Sequence, residues 1–557
     1  MKYNTIKYLL PLFLLALVHT SCEDMLDKKD LSSMSESYVW EDVELAKLFL
    51  NELYADRPGY EANNTPYLNN VTDETRNATK TNADMVTNGT WTSSTSVGNW
   101  MSFWAYTQVR KANEYIYGLE NKATFSETAK LQYLGEASFL RALLYFDMAK
   151  RYGALPLIDK PQELEDDLFV KRATLDETFE FILKDLDVAI KNLPRKGKTE
   201  TGRATLGAAW ALRSRVLLYW ASPLFNPNNV TQRWKDAADA AKEVIKLKDY
   251  ALESDLNIWI KRDNTETIFE KQYKIGFKEH GWDAMHKPLS IANGVGTKSN
   301  PTQEMVMSFP MTNGLLPEQN GSGYDDQNPY TGRDKRFYAS IVYHMSMYCG
   351  RPQNCSQKAD EGFVDKVGSA FCSHSGYYIR KGMDENNKIY YKQTGSEQSF
   401  IEIRYAEVLL NLAEALNESN GPGDEVFDLL DEVRHRAGIT TNVKDILTNP
   451  NDKDEVRKLI YNERKVELCF EQHRYFDIRR WKIAKEVMHG KRMHGINITE
   501  NGKDAEGNII WKYETMDIEK NIGGNNLTCV FEDYMYWMPI PYSELTKNPN
   551  LIQNDEW

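Results

Sequence analysis

Apolar residues return at spacings of three and four along segment after segment of this chain. That period commits it to helices, each of which must bury an apolar stripe against a neighbour. The strongest instance opens with Thr174-Leu-Asp-Glu177, a capping box in which hydroxyl and carboxylate satisfy backbone donors at a helix start. Leu175, Phe179, Ile182, Leu183, Leu186 and Ile190 follow, with Pro194 just beyond. Residues 131–152 repeat the period through Leu134, Ala137, Leu140, Leu144 and Met148, and Gly153 is placed to end the helix. Further helices are predicted over 41–55, 103–118, 204–221, 233–247, 400–418, 424–437 and 454–485. Two pairs read as helical hairpins of tetratricopeptide type. One joins 204–221 to 233–247, where Ala237, Ala238 and Ala241 permit close approach, and the other joins 400–418 to 424–437. Residues 56–100 and 270–400 show little periodicity and are rich in Asn, Gly, Ser, Thr, Pro and Tyr. Loops that long are where a site is expected.

With 557 residues, 41% of them hydrophobic and 27% charged, the chain has ample material for a large core. Its 68 basic and 81 acidic residues leave a formal charge of −13, and no block of Lys and Arg interrupts that background. A phosphate backbone is repelled by such a surface, so nucleic acid is excluded as the expected partner. Most of the 13 Trp and 31 Tyr belong to packing, while a minority in polar loops could face sugar rings.

The N-terminus carries Lys2 and Lys7, the apolar run Leu9–Val18 broken by Pro11, then His19-Thr-Ser-Cys22 and the acidic stretch Glu23-Asp24-Met25-Leu26-Asp27. A basic start, a short apolar run and small residues describe a secretory signal too short to span a bilayer. It resembles a bacterial lipoprotein signal, which implies removal of residues 1–21 and lipidation of Cys22, although His19 stands where leucine is usual. The acidic stretch after Cys22 resembles sorting signals for surface display. No later segment reaches ~18 unbroken apolar residues. Cys349, Cys355 and Cys372 crowd one loop-rich stretch, where an exported protein could form one disulfide whose pairing stays open. Only His374 lies near them, so no metal site is expected.

Longer motifs then match a known pattern. Glu136-Ala-Ser-Phe-Leu-Arg-Ala-Leu-Leu-Tyr-Phe-Asp-Met-Ala-Lys-Arg-Tyr-Gly-Ala-Leu-Pro-Leu-Ile158 resembles the SusD/RagB family of nutrient-binding lipoproteins. So do Asn300-Pro-Thr-Gln-Glu-Met-Val, Gly332-Arg-Asp-Lys-Arg-Phe, Gly376-Tyr-Tyr-Ile-Arg-Lys and Ile403-Arg-Tyr-Ala-Glu-Val-Leu-Leu-Asn-Leu-Ala-Glu-Ala. The most specific stretch is Asn462-Glu-Arg-Lys-Val-Glu-Leu-Cys-Phe-Glu-Gln-His-Arg-Tyr-Phe-Asp-Ile-Arg-Arg-Trp481, and Met538-Pro-Ile-Pro-Tyr-Ser-Glu-Leu with Asn548-Pro-Asn-Leu-Ile-Gln-Asn554 closes the match. The resemblance implies a mainly α, SusD-like fold with four tetratricopeptide-like hairpins supporting a loop-rich C-terminal region. Residues 22–557 would form one unit, with an N-terminal part over 22–300 and a C-terminal part over 301–557. It also implies an outward-facing outer-membrane lipoprotein that binds glycans, or in some members peptides, for a SusC-like TonB-dependent transporter, with no catalysis and no cofactor.

Glu463, Arg464, Glu467, Glu471, His473, Arg474, Asp477 and Arg479 could be read as acid–base machinery. Pairing at three and four residues, and Leu468, Phe470, Phe476 and Trp481 among them, mark a structural helix instead. Arg404 with Glu407, and Glu136 with Arg141, likewise read as scaffold ion pairs. A sugar site needs an aromatic plate beside fixed donors and acceptors. The loop from Tyr67 through Asn69, Asn70, Asp73, Arg76 and Asn77 to Gly89-Thr90-Trp91 holds that mixture. Asp73 can accept from two hydroxyls, Arg76 can donate as a fork, and Trp91 is the expected plate. Trp282, Asn293 and Tyr324 are further glycan-binding candidates, while Trp100 and Trp104 lead into helical period and read as core.

Overall fold

The computed structural model describes residues 36–60, 68–77, 81–95, 97–98, 101–292, 297–356, 365–368, 372–387, 395–518 and 528–557. The leader, Cys22, Tyr67, Trp100 and Asn293 lie outside the described residues. The fold is mainly helical. Helices α1 (Val43–Asp56), α2 (Tyr106–Asn121), α3 (Glu127–Tyr152), α4 (Leu175–Asn192), α5 (Leu206–Ala221) and α6 (Thr231–Leu247) precede strand β1 (Thr267–Lys271). After the second loop-rich stretch come β2 (Phe400–Arg404), α7 (Tyr405–Asn420), α8 (Asp424–Arg436), α9 (Lys453–Glu467) and α10 (His473–Arg480).

Successive helices pack on one another from α2 through α7, and α7 also carries α8 and α9. The apolar stripes of the sequence become the shared core: Phe179, Ile182 and Leu186 of α4, Leu140 of α3 and Val216 of α5 are buried in one cluster. Ala237, Ala238 and Ala241 of α6 are buried there too, small enough for close helix approach. The capping box forms as expected, with the Thr174 N–H donating to Glu177 at 2.7 Å and the Glu177 N–H to the Thr174 hydroxyl at 3.2 Å. Gly153 ends α3 at φ 77°, a left-handed conformation that a glycine adopts without Cβ strain. A second core under the loop-rich half gathers Met305, Phe309, Phe337, Tyr377, Tyr378 and Ile498.

Two predicted helices require correction. Residues 400–404 are a strand paired antiparallel with β1, Lys271 opposite Phe400 and Thr267 opposite Arg404. The predicted helix over 454–485 is broken, because Phe470 and Gln472 take left-handed backbone conformations at φ 64° and 67°. The end of α9 is satisfied by cations. The Glu467 carbonyl at the end of α9 accepts from Arg404 at 2.6 Å and Lys381 at 2.7 Å, cations that satisfy and favour a helix C-terminus.

Ion pairing is scaffold, as expected, but with other partners. Arg404 binds Glu266, Glu467 and Glu471, while Glu407 binds Arg215. Glu136 pairs with Arg203 at 2.9 Å, and Arg141 with Asp185 at 2.7 Å. These arginines reach carboxylates on other elements, and a buried charge costs several kcal/mol unless so compensated. The expected disulfide is also corrected: among the described residues no disulfide joins Cys349, Cys355 and Cys372. Burial pushes Cys349 up to about 11 and Cys372 up to about 12, which disfavours the thiolate that disulfide chemistry needs.

Candidate functional site

Where α1 ends, Arg57 is pushed into extended backbone by Pro58, and the chain turns through Gly59 and Tyr60. The turn packs tightly against β1: a Cβ on Gly59 would lie 2.2 Å from the Tyr273 hydroxyl. Lys271 holds it from below, donating to the carbonyls of Ala55, at 3.0 Å, and Arg57. This turn forms one wall of a cleft of about 590 Å³, inside the ~300–1,000 Å³ range of small-ligand sites. Ser102–Ala105, leading into α2, and Gln108 of its first turn form a second wall, and Tyr273, Lys278, Phe400 and Gln472 complete it. Parts of both loop-rich stretches therefore converge on one hollow.

The cleft joins aromatic faces to unengaged polar groups. Trp104 is half-buried and packs edge-on against Tyr152, ring centroids 5.1 Å apart. Tyr60 is backed by Trp282 at 4.8 Å, His280 at 4.4 Å and, edge-on, Phe400 at 5.3 Å. His280 is fixed between the Gln398 carbonyl at 2.9 Å and the Trp282 N–H at 3.2 Å, and burial pushes its imidazole down to about 4. It supports the wall as a neutral ring. The side chains of Ser102, Gln108 and Gln472 make no hydrogen bond among the described residues, so their donors and acceptors are available to a ligand. Gln472 reaches the cleft because the break between α9 and α10 turns it there.

Two other hollows are chemically poorer. One of about 340 Å³ beside Lys196 and Arg203 has the Tyr250 hydroxyl already engaged by Thr205 at 3.0 Å. One of about 760 Å³ near Trp40 is rimmed by charges that pair with each other, Arg110 with Glu114 and Lys160 with Asp166.

Most residues expected at a sugar site from sequence have structural work here. Trp91 is 4% exposed and meets Trp557 edge-on at 4.5 Å, so it is a core residue and not an open plate. Asp73 is buried under a bidentate contact from Arg474, at 2.8 and 2.9 Å, and an ion pair with Lys465 at 2.9 Å. Burial alone would raise its carboxyl, but those two cations outweigh burial and hold it far below the ordinary carboxylate range. Arg76 is spent on the carbonyls of Asn70, Thr72 and Thr75. Trp282 is 5% exposed behind Tyr60, and half-buried Tyr324 lies beneath Arg333, outside the cleft lining. Asn70 and Asn77 bond each other at 2.7 Å. Sequence reasoning missed Arg57, Tyr60, Phe400 and Gln472, and it assigned Trp104 wholly to the core. Proximity of Trp104 to the first loop-rich stretch, and the Arg-Pro-Gly-Tyr turn, were the available signals.

Comparison with known proteins agrees with this architecture. Residues 265–557 match the family model described as SusD family, and residues 24–218 match one described as starch-binding associating with outer membrane. A SusD-like protein P2 of Formosa agariphila is 26% identical over 477 residues, covering 82% of this chain and 80% of that protein. The crystal structure of a SusD-like protein from Bacteroides fragilis superposes with a TM-score of 0.76 at 28% identity, covering 94% of this chain and 99% of that one. A SusD-like carbohydrate binding protein, also of Bacteroides fragilis, shares the fold with a TM-score of 0.76 at 24% identity, covering 92% and 99%. Among the described residues, no helix is long and apolar enough to cross a membrane. With more than half of its length matched to the family's own model, the chain belongs to the SusD family.

Proposed function

We propose that this chain is a non-catalytic lipoprotein that captures an oligosaccharide in the cleft between Arg57 and Gln472 and passes it to a SusC-like TonB-dependent transporter. The observation that carries the reading is the combination in one hollow of the Trp104 and Tyr60 faces with the unengaged Ser102, Gln108 and Gln472 side chains. Aromatic faces take the apolar C–H side of a sugar ring, and hydroxyl and amide groups take its hydroxyls. The match of residues 24–218 to a starch-binding description supports a glycan. Cys22 after a secretory apolar run supports a lipid anchor in the outer membrane, and the acidic residues behind it support outward display. Hydrolysis would call for two working carboxylates. Asp56 and Glu279 line the cleft, and Asp56 is already bound to Lys111 at 2.8 Å.

The test is calorimetric titration of the full chain with a panel of oligosaccharides, repeated with Trp104→Ala. An aromatic anchor in a site is worth ~2 kcal/mol or more, so the variant should bind at least ~tenfold more weakly. Thermal melting of the same sample shows that it is folded. Unchanged affinity, new reducing ends in the mixture, or binding of oligopeptides in place of glycans would each overturn the proposal.

A further inference from the structure

Resting on the reading that the cleft holds a glycan, we propose that this glycan is anionic, its carboxylate or sulfate groups held by Arg57 in the wall and Lys278 at the rim. The chain carries −13 in all, yet this hollow is lined by Arg57, Arg151, Lys271 and Lys278 against Asp56 and Glu279. Several of these charges have work inside the protein. Arg151 is paired with Asp147 at 2.8 Å, Lys271 braces the Ala55–Arg57 turn, and Asp56 faces Lys111.

Arg57 is differently placed. It is 5% exposed, its guanidinium carbon lies 4.1 Å from the Phe269 ring centroid, and one Nη donates to the Glu270 carbonyl. Among the described residues it forms no ion pair. The nearby carboxylates are engaged elsewhere, Glu402 with Arg215 at 2.8 Å and Glu270 with the Gln272 amide at 2.8 Å. Other buried guanidiniums are better compensated: Arg215 and Arg480 by carboxylates, Arg333 by three carbonyls. Arg479 is as sparsely bonded but lies over Tyr475, outside the cleft lining. A buried guanidinium with one neutral acceptor is costly, and burial draws Arg57 below its ordinary value. A ligand anion entering the cleft supplies the missing partner, and the planar fork suits the paired oxygens of a carboxylate or sulfate.

The rim adds a second observation. Lys278 closes the turn that begins at Lys274, and among the described residues its Nζ meets only the Ala55 carbonyl, at 3.3 Å, and forms no ion pair. Phe277 at the same tip is 85% exposed. The Lys274 ammonium lies 5.3 Å from its ring centroid and Lys278 follows it in the chain, so the tip sets an apolar ring beside positive charge. A neutral glycan would use the ring and leave the cations idle.

The full chain, solubilised in detergent, would be titrated with amylose and laminarin oligosaccharides as neutral probes, oligogalacturonate as a carboxylated probe and carrageenan oligosaccharides as a sulfated probe. An anionic probe should bind at least ~tenfold more tightly than the neutral ones at low salt, with the preference shrinking as salt is raised. Comparing oligogalacturonate with carrageenan identifies which acid is read. Arg57→Gln should cut the anionic-to-neutral preference by ~tenfold and Lys278→Gln by ~threefold. Lys278 is on an exposed turn, so its variant serves even if Arg57→Gln melts early. Neutral and anionic probes of equal affinity would overturn the inference and leave glycan capture standing. Anionic binding indifferent to both Lys278→Gln and Trp104→Ala would also overturn it, by placing the anion elsewhere. Failure of every glycan would overturn capture itself.

Discussion

Among the described residues Glu467 is shared by three arginines, and its replacement by glutamine measures what the network contributes. One oxygen accepts from Arg404 at 2.7 Å and from Arg436, the other from Arg336 at 3.0 Å, in a side chain only 3% exposed. Hydrogen bonds to charged groups are worth ~1.5–3 kcal/mol each, so three of them set an upper scale of roughly 5–9 kcal/mol. Glutamine keeps one acceptor oxygen but turns an amide toward a guanidinium. Glu266, Glu471, Glu463 and Asp334 still share the same arginines. The expected loss for Glu467→Gln is therefore ~3–5 kcal/mol, the usual cost of breaking a buried pair. Burial by itself would raise the Glu467 carboxyl, but Arg436, Arg404 and Arg336 outweigh it and hold it well below the ordinary range. Its contribution is thus present above the unfolded-state pKa of ~4.3 and is lost as pH falls below it. Urea unfolding followed by tryptophan fluorescence should show the wild type ahead at pH 7 and the gap narrowing below pH ~4. A loss under ~1 kcal/mol would refute the network argument. A collapse of glycan affinity with unchanged unfolding would mean that a binding helix had been mistaken for scaffold.

Other outcomes follow from the same geometry. Trp91→Ala should cost ~3–5 kcal/mol through the cavity left against Trp557, while glycan affinity of the folded fraction stays within ~twofold; calorimetry and melting on one sample separate the two. Glu74 is fully buried, and burial, then the adjacent Asp73 charge, push its carboxyl up to about 8. With a folded value above the unfolded ~4.3, its contribution is present at low pH and lost as pH rises toward 8. Glu74→Gln should accordingly flatten a decline in stability between pH 5 and 8 of up to ~3 kcal/mol, read from urea midpoints; an unaltered slope would rule the assignment out. Cys22→Ala should move the protein from the membrane to the soluble fraction, since stable attachment rests on acyl chains. Retention of the variant in washed membranes would contradict the anchor, and wild-type protein untouched by protease on intact cells would contradict outward display.

Local order was legible in the sequence because local interactions create it. The Thr174–Glu177 capping box, the stripe from Leu175 to Ile190 and the Gly153 stop are decided by residues within a few positions of one another, and each forms as read. The ordered motifs from Glu136 to Asn554 were likewise enough to identify the family. What the sequence left undetermined was every choice between residues of similar chemistry that lie far apart in the chain. Trp91 and Trp104 both stand in or beside the first loop-rich stretch. The first is sealed by Trp557 from far along the chain, while the second keeps a face on the cleft because the Arg57–Tyr60 turn packs on β1 across from it. Asp73 has the valence of a sugar ligand, and only the docking of Arg474, 401 positions away, commits it to an ion pair. Arg404 lies three residues from Glu407 yet binds Glu467 and Glu471, while Glu407, equally buried, is taken by Arg215. Helix period and caps are set by spacing along the backbone; burial and charge partnership are set by which distant surfaces meet, and that is decided only when the helices stack.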